Sequence, residues 1–122
     1  MKLDYDLIKK LLREVEQQSD GINESRVDFH GSLSPENKKY AYHIRLLISE
    51  GFLNGRIHDI STGDGRQEWL FYTGLTLAGH QALEAMENDT IWGKIKHTAT
   101  SAGIEGLRQI PALALKTLTG SD

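Results

Sequence analysis

The chain has 122 residues, with 14 Lys and Arg against 17 Asp and Glu, a formal charge of −3 and a pI near 5.9. That length holds one domain, or one domain with a short appendage, and 39% hydrophobic with 25% charged residues is a globular rather than a disordered composition. No apolar run approaches the ~18 residues of a membrane span, and the absence of cysteine removes disulfides, thiolate zinc sites and cysteine nucleophiles together.

Asp4 and Asp6 stand where a signal peptide needs an apolar stretch, so a reducing cytoplasm is the expected location. From Asp4 to about Gln18, the residues Tyr5, Ile8, Leu11, Leu12 and Val15 recur at spacings of three and four. This predicts a helix with one apolar face, capped by Asp4 and ended by Ser19-Asp20-Gly21. In Arg26-Val27-Asp28-Phe29-His30 the period changes to two, which predicts a short strand with Val27 and Phe29 on one face. Ser34-Pro35 then reads as the cap and first position of a second helix, reaching to about Glu50.

Around that second helix, Tyr40, Ala41, Leu47 and Ile48 fall beside Ile44 at 3.6 residues per turn. The opposite side collects Lys38, Lys39, Tyr42, Arg45 and Ser49, with His43 at the edge and apolar Leu46 facing outward. Gly51 closes the helix. Leu53 to Ile60 and Trp69 to Leu75 are the arms of a hairpin with a polar tip at Ser61 to Arg66, and at the turn-like Asn54-Gly55 the first arm either begins or carries a bulge. Thr76 caps a further helix to about Glu87, with Gly79, Leu83 and Met86 inward. Asp89 is the expected cap of the next, which sets Ile91, Trp92, Ile95 and Ala99 on one side. Beyond Ser101-Ala102-Gly103, Ile104 to Leu118 forms a last amphipathic stretch that Pro111 kinks or restarts.

Helix, short strand, helix, strand, polar tip, strand is the order of a winged-helix domain. The expected class is therefore α+β, mostly helical: a winged helix-turn-helix with a short antiparallel β wing and extra C-terminal helices. Residues 1–88 would form the winged-helix-like domain. Residues 89–122 would be a helical extension, packed on that domain or forming a dimer interface.

Three segments carry a narrower likeness: Met1-Lys2-Leu3-Asp4-Tyr5-Asp6-Leu7-Ile8-Lys9-Lys10, His43-Ile44-Arg45-Leu46-Leu47-Ile48-Ser49-Glu50-Gly51-Phe52, and Leu75-Thr76-Leu77-Ala78-Gly79-His80-Gln81-Ala82-Leu83-Glu84 running on to Asn88-Asp89-Thr90-Ile91-Trp92-Gly93-Lys94-Ile95-Lys96. Through them the chain resembles a bacterial and phage family, domain of unknown function 2513. It departs at Ala82, where an aromatic residue is common, and in a tail that looks individual. The resemblance implies a winged-helix-like fold and a frequent prophage setting, and it brings no established activity.

Function therefore rests on the residues. Positions 14–28 hold five acids against Arg26, a net −4, whereas positions 37–49 hold Lys38, Lys39 and Arg45 with no acid, a net +3. A cationic helix of this kind can enter a major groove, with Arg reading guanine and Lys neutralising phosphate. Lys38, Lys39, Tyr42, Arg45 and Ser49 are the expected duplex contacts, with His43 peripheral, and Arg56, His58 and Arg66 add contacts from the wing. About four or five phosphate contacts imply modest affinity, so a second copy would be needed for specificity. Trp92, Ile95, Leu107, Leu113, Leu115 and Leu118 would either join two copies or cover the first helix within one.

The alternative is a protein-binding adaptor, or an inhibitor of a host protein, on the same fold. Catalysis finds no assembled constellation. The five histidines lack i, i+4 spacing, Gly63-Asp64-Gly65 lacks a phosphate-loop context, Ser32 and Ser34 lie in no nucleophile motif, and the carboxylates fall on surface faces. His80 is expected as a partly buried hydrogen-bonding residue. No catalytic residue, metal or cofactor is predicted.

Overall fold

The computed structural model describes residues 2–63 and 65–119, with side chains through residue 117. The chain forms α1 (Tyr5–Gln18), β1 (Ser25–His30), α2 (Pro35–Ser49), β2 (Leu53–Asp59), β3 (Gln67–Leu75), α3 (Leu77–Glu87), α4 (Asp89–Ser101) and α5 (Ile104–Thr119). The fold is α+β, with helices gathered about an antiparallel three-stranded sheet.

Helices α1 to α4 each begin where a short polar side chain can take an orphan backbone N–H, whereas α5 follows Gly103. The Asp4 carboxylate accepts from Leu7 N–H, Ser34 Oγ from Asn37 N–H and Thr76 Oγ1 from Gly79 N–H. At α4 the cap is Asn88, which accepts from Ile91 N–H, and Asp89 is instead the first helical residue. This corrects the expected cap by one position. In α1 the predicted apolar face is buried in full, Tyr5, Ile8, Leu11, Leu12 and Val15. Each fully buried Leu or Ile among them contributes about 2 kcal/mol.

The sheet order is β1-β3-β2, so the hairpin's second arm lies in the middle. Both pairings are antiparallel, and the β2 register shifts between Asn54 and Gly55, so of the two expected alternatives the strand carries an irregularity there rather than beginning after it. Cross-strand rows follow from the register. Val27, Leu70 and Ile57 make one row, Arg26, Phe71 and Arg56 the next, and Asp28, Trp69 and His58 a third. Because side chains alternate, Glu68, Leu70 and Tyr72 face the helices while Trp69 and Phe71 face away from them.

The helices close one shared core. Leu107 and Ile110 of α5, Ile95 and Ala99 of α4, and Leu83 and Met86 of α3 are buried with the α1 face. Trp92 stacks on Tyr5 with ring centroids 6.1 Å apart, and the Tyr5 hydroxyl donates to the Ala99 and Gly103 carbonyls. Trp92, Ile95 and Leu107 are thus spent inside one molecule and offer nothing to a second copy, which removes them from the expected dimer interface. Leu113 is half-buried and Leu115 exposed, while the Leu118 side chain lies outside the described residues. Pro111 neither breaks nor restarts the last segment: α5 is assigned as one helix through it.

Candidate nucleic-acid interface

The α2 helix carries most of the residues expected to meet DNA, and the structure sorts them into three groups. Lys39 and Ser49 are exposed, and Lys38 and Tyr42 are half-exposed, on the side turned away from the core. No carboxylate pairs with Lys38 among the described residues. Lys39 bridges to the Asp4 carboxylate at 2.8 Å, and that ammonium, with the Leu7 N–H, holds the Asp4 carboxyl below its usual range. This pair links α2 to the start of α1.

His43 contradicts its expected place. It is fully buried rather than at the groove edge. Its Nε2 accepts from the Asp4 backbone N–H at 3.0 Å, so Nδ1 carries the proton and donates to the Lys39 carbonyl at 2.8 Å. Burial pushes the imidazole below its ordinary value, against the opposing pull of that Lys39 carbonyl. Leu46 is also buried rather than outward. The helical wheel identified the main apolar face, but the N-terminal segment reaches around the flank and bonds to His43.

Arg45 is fixed rather than free. Its Nε donates to Glu68 Oε1 at 2.8 Å and a terminal nitrogen to Oε2 at 3.3 Å, a bidentate pair. Arg66, at the root of the β2–β3 tip, donates to the same Oε2 at 3.4 Å. Glu68 is 5% exposed, which corrects the expectation that the carboxylates lie on surface faces. Hydrogen bonding from Arg45, reinforced by the charges of Arg45 and Arg66, holds its carboxyl below the usual range despite burial. The same bond raises the Arg45 guanidinium. One carboxylate therefore clamps α2 to the base of the tip.

The tip is polar and turned outward. Ser61 N–H bonds to Asp59 Oδ1, the Ser61 hydroxyl is paired with the Gln67 backbone, and Thr62 bridges to Gly65. Arg56 sits on the outer side of β2, 3.4 Å from Glu24 of the acidic segment. His58 is exposed beside it, stacked on Trp69. His80, expected to be partly buried, is exposed, with Nδ1 3.5 Å from Glu16.

Sequence reasoning missed two features. Glu68 was masked by the apolar run that follows it, although its alternation with Leu70 and Tyr72 places it inward. The outer aromatic row of Trp69 and Phe71 lay inside the same run of Trp69-Leu70-Phe71-Tyr72, where every position is apolar or aromatic and no period of two can be read. Among the described residues no group of three His, Asp or Glu side chains is arranged to hold a metal, and no helix is long and apolar enough to cross a membrane.

Comparison with known proteins gives a consistent family and no activity. The sequence profile of the family described as "Hypothetical protein (DUF2513)" matches residues 2–105. A Haemophilus influenzae protein named "Uncharacterized protein" is 30% identical over 111 residues, covering 86% of this chain and 84% of that protein. No solved structure matches the chain.

Proposed function

The chain belongs to the DUF2513 family, and from its own residues we propose that it is a winged-helix protein that binds double-stranded DNA as a cytoplasmic, phage-type regulator, acting by binding rather than catalysis. The observation that carries this reading is the Glu68 clamp. It holds α2 and the root of the β2–β3 tip in one fixed relation through Arg45 and Arg66, and a helix and a wing must be so fixed to engage a groove and the adjoining backbone together. The strand order β1-β3-β2 and the exposed N-terminal half of α2 support the same reading.

Roles follow from exposure. Lys38 and Lys39 on the helix and Arg66 at the root of the tip are the phosphate contacts, whereas Arg56, over Phe71 on the sheet face turned away from α2, is not among them. The pair Lys39–Asp4 is solvent-exposed and worth only about 0–1 kcal/mol, so exchanging its carboxylate for a phosphate costs little. Tyr42 and Ser49 offer hydrogen bonds along the groove-facing side. Arg45 acts through Glu68 as a positioning residue and His43 as a structural one. Neighbouring acids keep the affinity modest.

A protein partner is the second reading, favoured by one pattern: Lys39, Arg45, Arg56 and Arg66 each sit beside an acid, as on a salt-linked protein surface. Leu46, being buried, contributes nothing to it. Fluorescence anisotropy with a labelled random duplex at low salt separates the two. The DNA reading expects binding that weakens at least roughly tenfold when Lys38, Lys39 and Arg66 are changed together to Ala. Binding that is absent, or unmoved by the triple change, would favour a protein partner.

A further inference from the structure

Among the described residues no helix covers the outer face of the sheet, and that face pairs aromatic rings with guanidiniums. Trp69 and Phe71 stand two apart on the central strand, ring centroids 6.3 Å apart and nearly perpendicular. Arg26 lies over the Trp69 ring at 5.0 Å and Arg56 over the Phe71 ring at 4.1 Å. His58 stacks on Trp69 at 5.8 Å. Trp and Arg are the residues most enriched where protein interfaces bind tightly.

Charge decides among occupants. The two guanidiniums are matched by two carboxylates of the same face, Asp28 at 3.0 Å from Arg26 and Glu24 at 3.4 Å from Arg56. A nucleic-acid platform needs a surplus of cations, and this face has none. A patch with equal numbers of both signs can be complementary to itself, as an isologous contact must be.

We propose that this face is the docking surface for a second copy of the chain, with the two sheets packed face to face. The register supplies the axis. A two-fold running across the strands, between the Phe71 row and the Trp69 row, sets Trp69 against the second copy's Phe71. It also sets Arg26 against the second copy's Asp28 and Arg56 against its His58. No like charges meet directly in this arrangement, whereas a two-fold along the strands would oppose Arg26 and Arg56. Three short strands offer less than the ~800 Å² per partner of a standard interface, so the dimer is weak and concentration-dependent. It leaves α2, on the opposite face, outside the contact.

Analytical ultracentrifugation of the full chain over a wide concentration range tests this, with circular dichroism to verify each variant's fold. The expected result is a reversible rise from the 13.7 kDa monomer towards twice that mass. Phe71→Glu should weaken association by roughly tenfold or more. Arg26→Asp should also weaken it, and the swap Arg26→Asp/Asp28→Arg should restore it. A monomer at every concentration would overturn the proposal, as would a dimer indifferent to Phe71→Glu. Binding of a single-stranded oligonucleotide by a wild-type monomer, lost in folded Phe71→Glu, would assign the face to nucleic acid and overturn it equally.

Discussion

At His43 an imidazole with no contact with water holds two backbone groups together, the Asp4 N–H and the Lys39 carbonyl. Protonation would place a second N–H against the Asp4 N–H and charge a buried ring. Because the folded state holds this group below its ordinary 6.5, the unfolded chain binds the proton first. The stability that depends on a neutral His43 is complete above pH 6.5 and is lost as the pH falls towards the lowered folded value, by up to ~1.4 kcal/mol per pH unit. Urea midpoints at pH 7.5 and 5.5 should therefore differ, and His43→Gln, which keeps one acceptor and one donor but does not titrate, should flatten the difference. Glu68 runs to lower pH. Its carboxyl is held below its ordinary 4.5, so its contribution is present above that value and fades as the pH drops through the folded one. Glu68→Gln keeps the shape and removes the charge that Arg45 and Arg66 share. A cost of about 2 kcal/mol at pH 7 in chemical denaturation is expected, below that of a fully buried pair because Arg45 remains 31% exposed.

Among the elements, the junction from β3 to α3 shows how backbone geometry is written in residue choice. The Phe52 carbonyl accepts from Thr76 N–H at 3.1 Å, and a Cβ added at Gly79 would stand 2.1 Å from that same oxygen. Only glycine lets α3 approach so closely. Gly79→Ala should gain helix propensity and still lose about 2 kcal/mol net through the forced displacement, read as a lower urea midpoint at pH 7. This junction was legible in the sequence, as were the Asp4 and Ser34 caps, the apolar face of α1 and, as one of two alternatives, the irregularity at Asn54-Gly55. Each is a local signal, set by residues three or four apart or by a turn. The surroundings of α2 were not legible, because they depend on partners far along the chain. His43 is buried by a bond to a residue 39 positions away and Arg45 is held by one 23 away. A wheel distinguishes apolar from polar sides but is blind to a polar residue satisfied from a distance. Trp92 was ambiguous for a related reason: an apolar helical face reads alike whether it meets its own chain or another.

Across the whole molecule the charge of −3 conceals an uneven distribution. The acids of residues 14–28 and the cations of α2 do not form two opposed patches. Glu24 reaches Arg56 across the sheet's outer face, and Asp4 and Glu68 take Lys39 and Arg45 on either side of α2. What remains for a polyanion on the α2 side is a small set, Lys38, Lys39 and Arg66, with α2 and the root of the tip held in one frame by the Glu68 clamp. Such a surface predicts DNA binding that is sequence-tolerant and modest, with a salt response shallower than that of a strongly basic repressor. The most direct measurement is the affinity for a random duplex as salt is raised from about 50 to 200 mM. Three phosphate contacts predict a slope of log K against log salt of about −2.7, a loss of roughly fortyfold. A flat response, or no binding at the lowest salt, would contradict a DNA-binding role.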